Sequence, residues 1–166
     1  MRLFILTKAL VLFLAPHPAS ADWQYTRWGM SFSELQSMQG VTQNAKNEKH
    51  TDTMLALLKA KYVASGIKSV AYFYFRKSDI DLGLIEVRLS DFAPSDCASV
   101  TGILRRTYGN PDLHDGSGLL EITSWRVLDS QNFISFMGII NRLENTYVSC
   151  DVIYNPLAPP GTSGGF

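Results

Sequence analysis

Two histidines stand beside carboxylates and are the side chains best suited to acid–base chemistry. His50 is followed by Thr51 and Asp52, and His114 is followed by Asp115. Histidine titrates near neutral pH, so either one could serve as a general base or a metal ligand. Both lie in polar segments, where a solvated histidine is the simpler interpretation. The chain has no HExxH motif and no GxxxxGK[ST] phosphate loop to strengthen a catalytic interpretation.

An acidic pair, Asp79 and Asp81, has the spacing with which a calcium-binding EF-hand loop begins. Such a loop needs further acidic ligands and a glutamate at its twelfth position, where this chain has Ser90. The sequence therefore predicts no metal site, no cofactor and no catalytic residue.

Cys97 and Cys150 are the two cysteines of the chain. An even number of cysteines in an oxidising compartment is most simply a disulfide, here closing a loop of about 54 residues. The alternatives are a redox pair, which usually has the CxxC spacing, and a metal site, which needs further ligands nearby. We expect a structural disulfide.

The first 21 residues predict a signal peptide. Arg2 and Lys8 supply the positive end, 9–15 is a short apolar core, and Ala19-Ser20-Ala21 has the small-x-small pattern of a cleavage site. A membrane anchor is the alternative, but this apolar run is too short to cross roughly 30 Å of hydrocarbon. We expect cleavage after Ala21 and a periplasmic or secreted protein.

The composition is that of a globular protein. Hydrophobic residues make up 46% of the chain and charged residues 18%, which excludes a disordered, collagen-like or coiled-coil chain. The 15 basic residues are matched by 15 acidic ones, which argues against nucleic-acid binding. We expect one α+β domain over residues 22–154, with candidate halves 22–92 and 93–154, and a flexible Pro/Gly-rich tail over 155–166.

The first half begins with a clear helix signal. Ser31 and Glu34 form a capping box, Met30 and Leu35 have the spacing of a hydrophobic staple, and Gly40 follows as a stop. Residues 54–64 are ambiguous, because the run MLALLKAK favours a helix by propensity but leads into a turn and a strong strand. We favour a strand over 57–64, followed by strands over 67–76 and 84–90.

The second half repeats this order at a shift of about 63 residues. Ser95 is the predicted cap of a second helix with an apolar stripe of Cys97, Val100, Ile103, Leu104 and Tyr108, and Gly109 ends it. Strands are predicted over 119–128, 132–140 and 146–154. The predicted fold is an antiparallel sheet with two helices on one face, as two fused α-β-β-β units. The alternative, that any small α+β domain alternates in this way, stays open.

Two segments resemble a group of small exported bacterial proteins that are mostly uncharacterised. These are Trp28-Gly29-Met30-Ser31-x-x-Glu34-Leu35 and Cys97-x6-Leu104-x3-Tyr108-Gly109-x-Pro111. The helix-then-three-strands order, taken twice, is also similar to the architecture of β-lactamase inhibitor protein. A single copy is similar to small envelope-assembly lipoproteins, but the lipobox cysteine is missing here. The resemblance implies a fold and a compartment, and it transfers no functional residue.

Alternation along the 67–76 strand separates two aromatic sets. If Phe73 and Phe75 pack against the helices, Tyr72 and Tyr74 point to the outward face. The same alternation assigns further side chains to that face, namely Lys59, Lys61, Glu86, Arg88, Trp125, Tyr147 and Asp151. Tyrosine, tryptophan and arginine dominate binding hot spots, which makes a binding site of Tyr72, Tyr74, Arg88, Trp125 and Tyr147. Alternatively, these pairs merely cover an exposed sheet.

The sequence thus predicts a non-catalytic exported binding protein, either an inhibitor or an envelope-assembly accessory. Its predicted partner is an envelope or secreted protein, and no integral membrane segment is expected after signal removal. A small-ligand or lipid binder, with a cavity between sheet and helices, is the alternative function. An enzyme of unknown type comes third, and clustering of His50, His114 and acidic groups in one cleft would indicate it.

Overall fold

A computed structural model describes residues 23–46, 48–116 and 118–158. The predicted signal peptide lies outside these residues, and so do positions 159–166 of the predicted tail. In the part of the chain that is described, neither helix is long and apolar enough to cross a membrane.

The described residues form two α-helices and eight strands. The first half contains α1 (Phe32–Gln36), β1 (Val41–Gln43), β2 (Met54–Ala64), β3 (Ile67–Arg76) and β4 (Asp79–Ser90). After a single 3-10 turn, Pro94–Asp96, the second half contains α2 (Cys97–Tyr108), β5 (Leu113–Asp115), β6 (Leu120–Val127), β7 (Asn132–Asn141) and β8 (Thr146–Pro156).

The eight strands form one antiparallel sheet in the order β1-β2-β3-β4-β8-β7-β6-β5. The halves meet where β4 pairs with β8, with Val87 opposite Tyr154 and Leu89 opposite Val152. From that seam outward, each half runs through the same order of strands. The α+β fold class is confirmed, and the helix-then-strands order occurs twice. The short strands β1 and β5, one at each outer edge, were not predicted.

The core lies between the sheet and the helices, on one face only. Leu35 of α1 and Val100 and Leu104 of α2 are buried in the same cluster as Phe73 and Phe75 of β3. Both helices therefore pack on one face, as predicted. Further buried members of this cluster are Leu58, Ala71, Leu84, Val87, Trp125, Ile134, Phe136 and Val152.

A disulfide joins the start of α2 to the middle of β8. Cys97 and Cys150 are bonded, with their Cα atoms 5.9 Å apart, and both are buried. The predicted disulfide is therefore present, and it links the helix layer to the sheet across the core.

Helix α1 is shorter than predicted but has the predicted cap. The Glu34 amide donates to Ser31 Oγ at 3.3 Å, and the Ser31 amide donates to Glu34 Oε2 at 2.9 Å. The helix ends at Gln36, where the Ser37 hydroxyl donates back to the Glu34 carbonyl at 2.7 Å. A serine that bonds to the backbone in this way competes with the helix ladder.

Residues 54–64 form a strand, as we favoured, and it begins three residues earlier than predicted. Pairing with β1 on one side and β3 on the other outweighs the helix propensity of the run. Ser95, in contrast, does not cap α2. It lies inside the 3-10 turn that begins at Pro94, and the residue before the helix, Asp96, makes no side-chain cap hydrogen bond.

Strand β8 runs past the predicted domain boundary at residue 154. Pro156 pairs with Asn132, and the amide of Leu157 donates to the carbonyl of Gln131 at 2.9 Å. Proline cannot donate to a strand ladder, and here it occupies the last position of β8. The domain therefore includes residues 155–157, the first of those assigned to the tail.

Candidate binding surface

The face of the sheet opposite the two helices is called the open face below. Cross-strand partners lie on the same face, so the register assigns its members. Tyr72 is opposite Arg88, Arg88 is opposite Ile153, and Ile153 is opposite Ser135. This row crosses the seam, so the open face is continuous across both halves.

Tyr72 and Tyr74 lie on the open face, as predicted, but they are not exposed. Their side chains are 3% and 0% exposed. The hydroxyl of Tyr74 donates to the Lys49 carbonyl and that of Tyr72 to Asp91 Oδ2, each at 2.8 Å. Lys49 also forms an ion pair with Asp91 at 3.2 Å. The polar segment before β2 folds over these rings, so the exposed aromatic surface expected here is absent.

Arg88 also lies on the open face, in a fixed orientation. Its Nη2 and Nε atoms donate to Glu86 Oε1 at 2.7 and 3.0 Å. Its guanidinium carbon lies 4.9 Å from the centroid of the Tyr74 ring. Asn155 donates to the other carboxylate oxygen of Glu86 at 3.2 Å. The Arg88 side chain remains 20% exposed, so it presents a positioned cation near the seam.

Trp125 and Tyr147 lie on the helix side of the sheet, so their predicted placement is wrong. Trp125 is 1% exposed, and its Nε1 donates to the Gly109 carbonyl at 3.0 Å. Tyr147 packs edge-on against Phe136 with ring centroids 5.8 Å apart. The pairing of β7 with β8 skips Val148, and this bulge turns Tyr147 to the opposite face.

The second half of the open face carries apolar side chains that the sequence reasoning missed. Leu113, Leu120 and Ile139 are 54%, 38% and 49% exposed. Leu120 is opposite Ile139, and Ile122 is opposite Met137. These five residues are called the apolar stripe below. The sequence of β7 contained an indication of the stripe, because its segment NFISFMGII is apolar on both faces. A strand of this kind is expected when both faces of the sheet are covered.

The two histidines are far apart. His50 Nε2 is 3.2 Å from the carbonyl of Ala56 on β2, and His114 Nδ1 is 2.9 Å from Thr123 Oγ1 at the far edge. Six strand spacings separate β2 from β5, which is roughly 29 Å. The clustering that would indicate an enzyme is not formed. Among the described residues, no group of three or more His, Cys, Asp or Glu side chains is placed to hold a metal.

Alkaline pH is expected to destabilise the fold through its buried tyrosines. Burial raises the pKa of Tyr74 to about 12, and burial with the hydrogen bond to Glu121 raises the pKa of Tyr147 to about 12. In the unfolded chain, tyrosine ionises near about pH 10. Because the folded-state pKa is the higher one, the neutral phenols stabilise the folded protein. Their contribution to the free energy of unfolding is fully present below the unfolded pKa and is lost as the pH rises through the folded pKa of about 12.

Urea unfolding at roughly pH 8 and roughly pH 11 measures this effect. The free energy of unfolding should be lower at the higher pH. The variant Tyr74→Phe keeps the ring and removes the ionisable group, so its stability should fall less over the same interval. Equal losses in the variant and the unmodified protein would contradict the assignment to Tyr74.

The protein is therefore a mostly-sheet α+β domain with one helix-covered face and one open face. Comparison with known proteins found no matching family model, no matching curated protein and no matching solved structure.

Proposed function

We propose that this protein is a non-catalytic exported binding protein that holds a protein partner on its open face. The partner contacts the apolar stripe and covers it in the complex. The observation that carries the proposal is the stripe itself, a set of apolar side chains on one face of three paired strands. Apolar patches of this kind on a soluble surface commonly mark sites of interaction.

The surroundings of the apolar stripe fit the usual anatomy of an interface, with an apolar centre and a polar rim. Exposed Arg126 lies beside it and pairs with Asp112 at 3.2 Å. Toward the seam, the next strand is β8, where half-buried Asp151 is opposite Met137. Arg88 lies one strand further, on β4. A partner with an apolar patch bordered by both charge signs would match this surface.

The stripe is also supported by a rigid base, which favours binding at low entropic cost. Strand β6 pairs with β7 over its full length, from Leu120 opposite Ile139 to Val127 opposite Asn132. Beneath them, Trp125, Ile134 and Phe136 are almost completely buried. Side chains on such a base need little ordering when a partner binds.

Export is part of the proposal and defines the kind of partner. The disulfide between Cys97 and Cys150 is typical of an oxidising compartment. The signal-peptide pattern before Asp22 agrees with this. We therefore expect the partner to be an envelope or secreted protein, for which this chain acts as an inhibitor or an assembly accessory.

Charge placed on the stripe should abolish partner binding. The double variant Leu120→Asp, Ile139→Asp alters two exposed positions, so the fold should persist. In the complex, each new carboxylate would lose its hydration in an apolar contact without gaining an opposite charge or a hydrogen bond. We expect affinity to fall by at least about 30-fold, the scale of a hot-spot loss. Calorimetry with the partner purified from envelope extract measures this.

Leu143→Asp is the matched control, because Leu143 is 98% exposed and lies in the turn after β7, outside the stripe. It introduces one carboxylate, against two in the double variant, at a position outside the stripe, and it should keep full affinity. Sedimentation of the protein alone separates partner binding from self-association through the same face. If the double variant binds as tightly as the control, the open face is not the binding site.

A further inference from the structure

Met137 differs from the other methionines in the part of the chain that the structure describes. Met30 is buried, and Met38 packs against the buried cluster on the helix side of the sheet. Met54 packs against a small buried cluster on the open face, which contains the two tyrosines of β3. Met137 belongs to neither cluster, and it is partly exposed on the open face. Its sulfur is therefore the least protected of the described methionines against a dissolved oxidant.

Comparison of the two halves explains why Met137 is not covered. Met137 on β7 corresponds to Tyr72 on β3, because each lies on the third strand from the outer edge of its half. Each is aligned, through one intervening strand, with the short edge strand of that half. The segment 44–53, between β1 and β2, folds over Tyr72, which is 3% exposed. The corresponding connection between β5 and β6, 116–119, is much shorter, and Met137 stays partly exposed.

We propose that Met137 is a site of oxidation by peroxides, and that its oxidation releases the partner from the open face. The sulfur takes one oxygen atom from hydrogen peroxide, so that the O–O bond breaks and an S–O bond forms. The sulfur loses two electrons, the peroxide is reduced, and water leaves, which converts the thioether to a sulfoxide. The release of the partner rests on the function proposed above, whereas the site of oxidation is a property of this chain.

A sulfoxide at position 137 is a polar group within apolar contacts. On the neighbouring strands, Ile122 is opposite Met137 on one side and Asp151 on the other. The Ile122 side chain has no polar atom, and an ionised Asp151 carboxylate accepts hydrogen bonds but cannot donate one. The sulfoxide oxygen would therefore bond to water in the free protein. It would lose that hydration beneath an apolar partner surface.

Peptide mass mapping after treatment of the protein with dilute hydrogen peroxide tests the site without any partner. We expect Met137 to gain one oxygen atom several-fold faster than Met54. Met54 is the matched internal comparison, because it is also on the open face but packs against the buried cluster there. Equal rates at the two positions, or faster oxidation of Met54, would overturn the proposed site.

Calorimetry with the partner purified from envelope extract tests the release. Protein oxidised at Met137 should bind at least about 5-fold more weakly, the effect of one uncompensated polar group. The variant Met137→Leu keeps an apolar side chain of similar volume, so it should bind equally well before and after peroxide treatment. Equal affinity of the oxidised and untreated protein would overturn the release.

The two measurements also separate this proposal from the function on which it rests. If the untreated protein captures no partner, the proposed function fails and the release fails with it. The relative oxidation rates of Met137 and Met54 still decide the site, because they are measured on this chain by itself.

Discussion

Replacing Cys97 and Cys150 together by alanine is expected to lower the free energy of unfolding by about 4 kcal/mol. The two cysteines are 53 positions apart in the chain. Closing a loop of that length lowers the conformational entropy of the unfolded state, which stabilises the folded state by about 4 kcal/mol. Domains of this size are stable by only about 5–15 kcal/mol. The substitution should therefore remove a large share of the total, while the alanines fit the buried positions of both cysteines.

Guanidinium unfolding with and without dithiothreitol tests this expectation and supplies its own control. Reductant should bring the unmodified protein close to the stability of the double-alanine variant. The variant itself should not respond to reductant. If the unmodified protein keeps its unfolding midpoint after complete reduction, the bond contributes little to the folded state.

Alanine at Gly83 is expected to be almost as damaging, with a loss of about 3–5 kcal/mol. Gly83 has φ +74°, and a Cβ there would overlap the carbonyl of Gly29 and lie 2.7 Å from that of Met30. Those carbonyls cannot move freely, because Leu84 exchanges two backbone hydrogen bonds of 2.9 Å with Gly29 and Met30. The close approach joins the segment before α1 to β4.

Gly66→Ala is the control that separates steric overlap from backbone strain. Gly66 has nearly the same φ, +81°, but a Cβ there would meet no atom within 4 Å. Its loss should be only about 1–2 kcal/mol, the cost of a left-handed alanine. Denaturant unfolding compares the two variants. Similar losses at both positions would show that the contact between Gly83 and the Gly29 carbonyl has little effect on stability.

Much of the fold could be predicted because local signals and tertiary structure agree. Strand β3 lies where the two-residue alternation placed it, Ile67–Arg76, and the turn before it falls at Ser65-Gly66. The backbone N–H and C=O groups at the ends of a helix lack partners within the helix. The capping box at Ser31 supplies hydrogen bonds to such groups from nearby side chains, and the positive φ of Gly109 lets the chain leave the helix. Such features depend on neighbours in sequence, which a single chain reveals.

The candidate surface was harder to predict because it depends on distant contacts. Nothing in the polar segment around Lys49 indicates that its carbonyl accepts from Tyr74 and helps to bury that ring. The bulge at Val148 reverses the face of Tyr147, and alternation cannot reveal a bulge. The apolar stripe was missed because a strand that is apolar on both faces gives no alternation to follow.

We propose that a protein partner covers the apolar stripe, and site-specific photocrosslinking in the intact envelope would detect that contact. A benzophenone side chain would replace Ile139 on the stripe and, as a control, Leu143 in the neighbouring turn. We expect one discrete crosslinked product from position 139 and a much weaker one, or none, from position 143. The same products from both positions, or no product from position 139 at full expression, would contradict it.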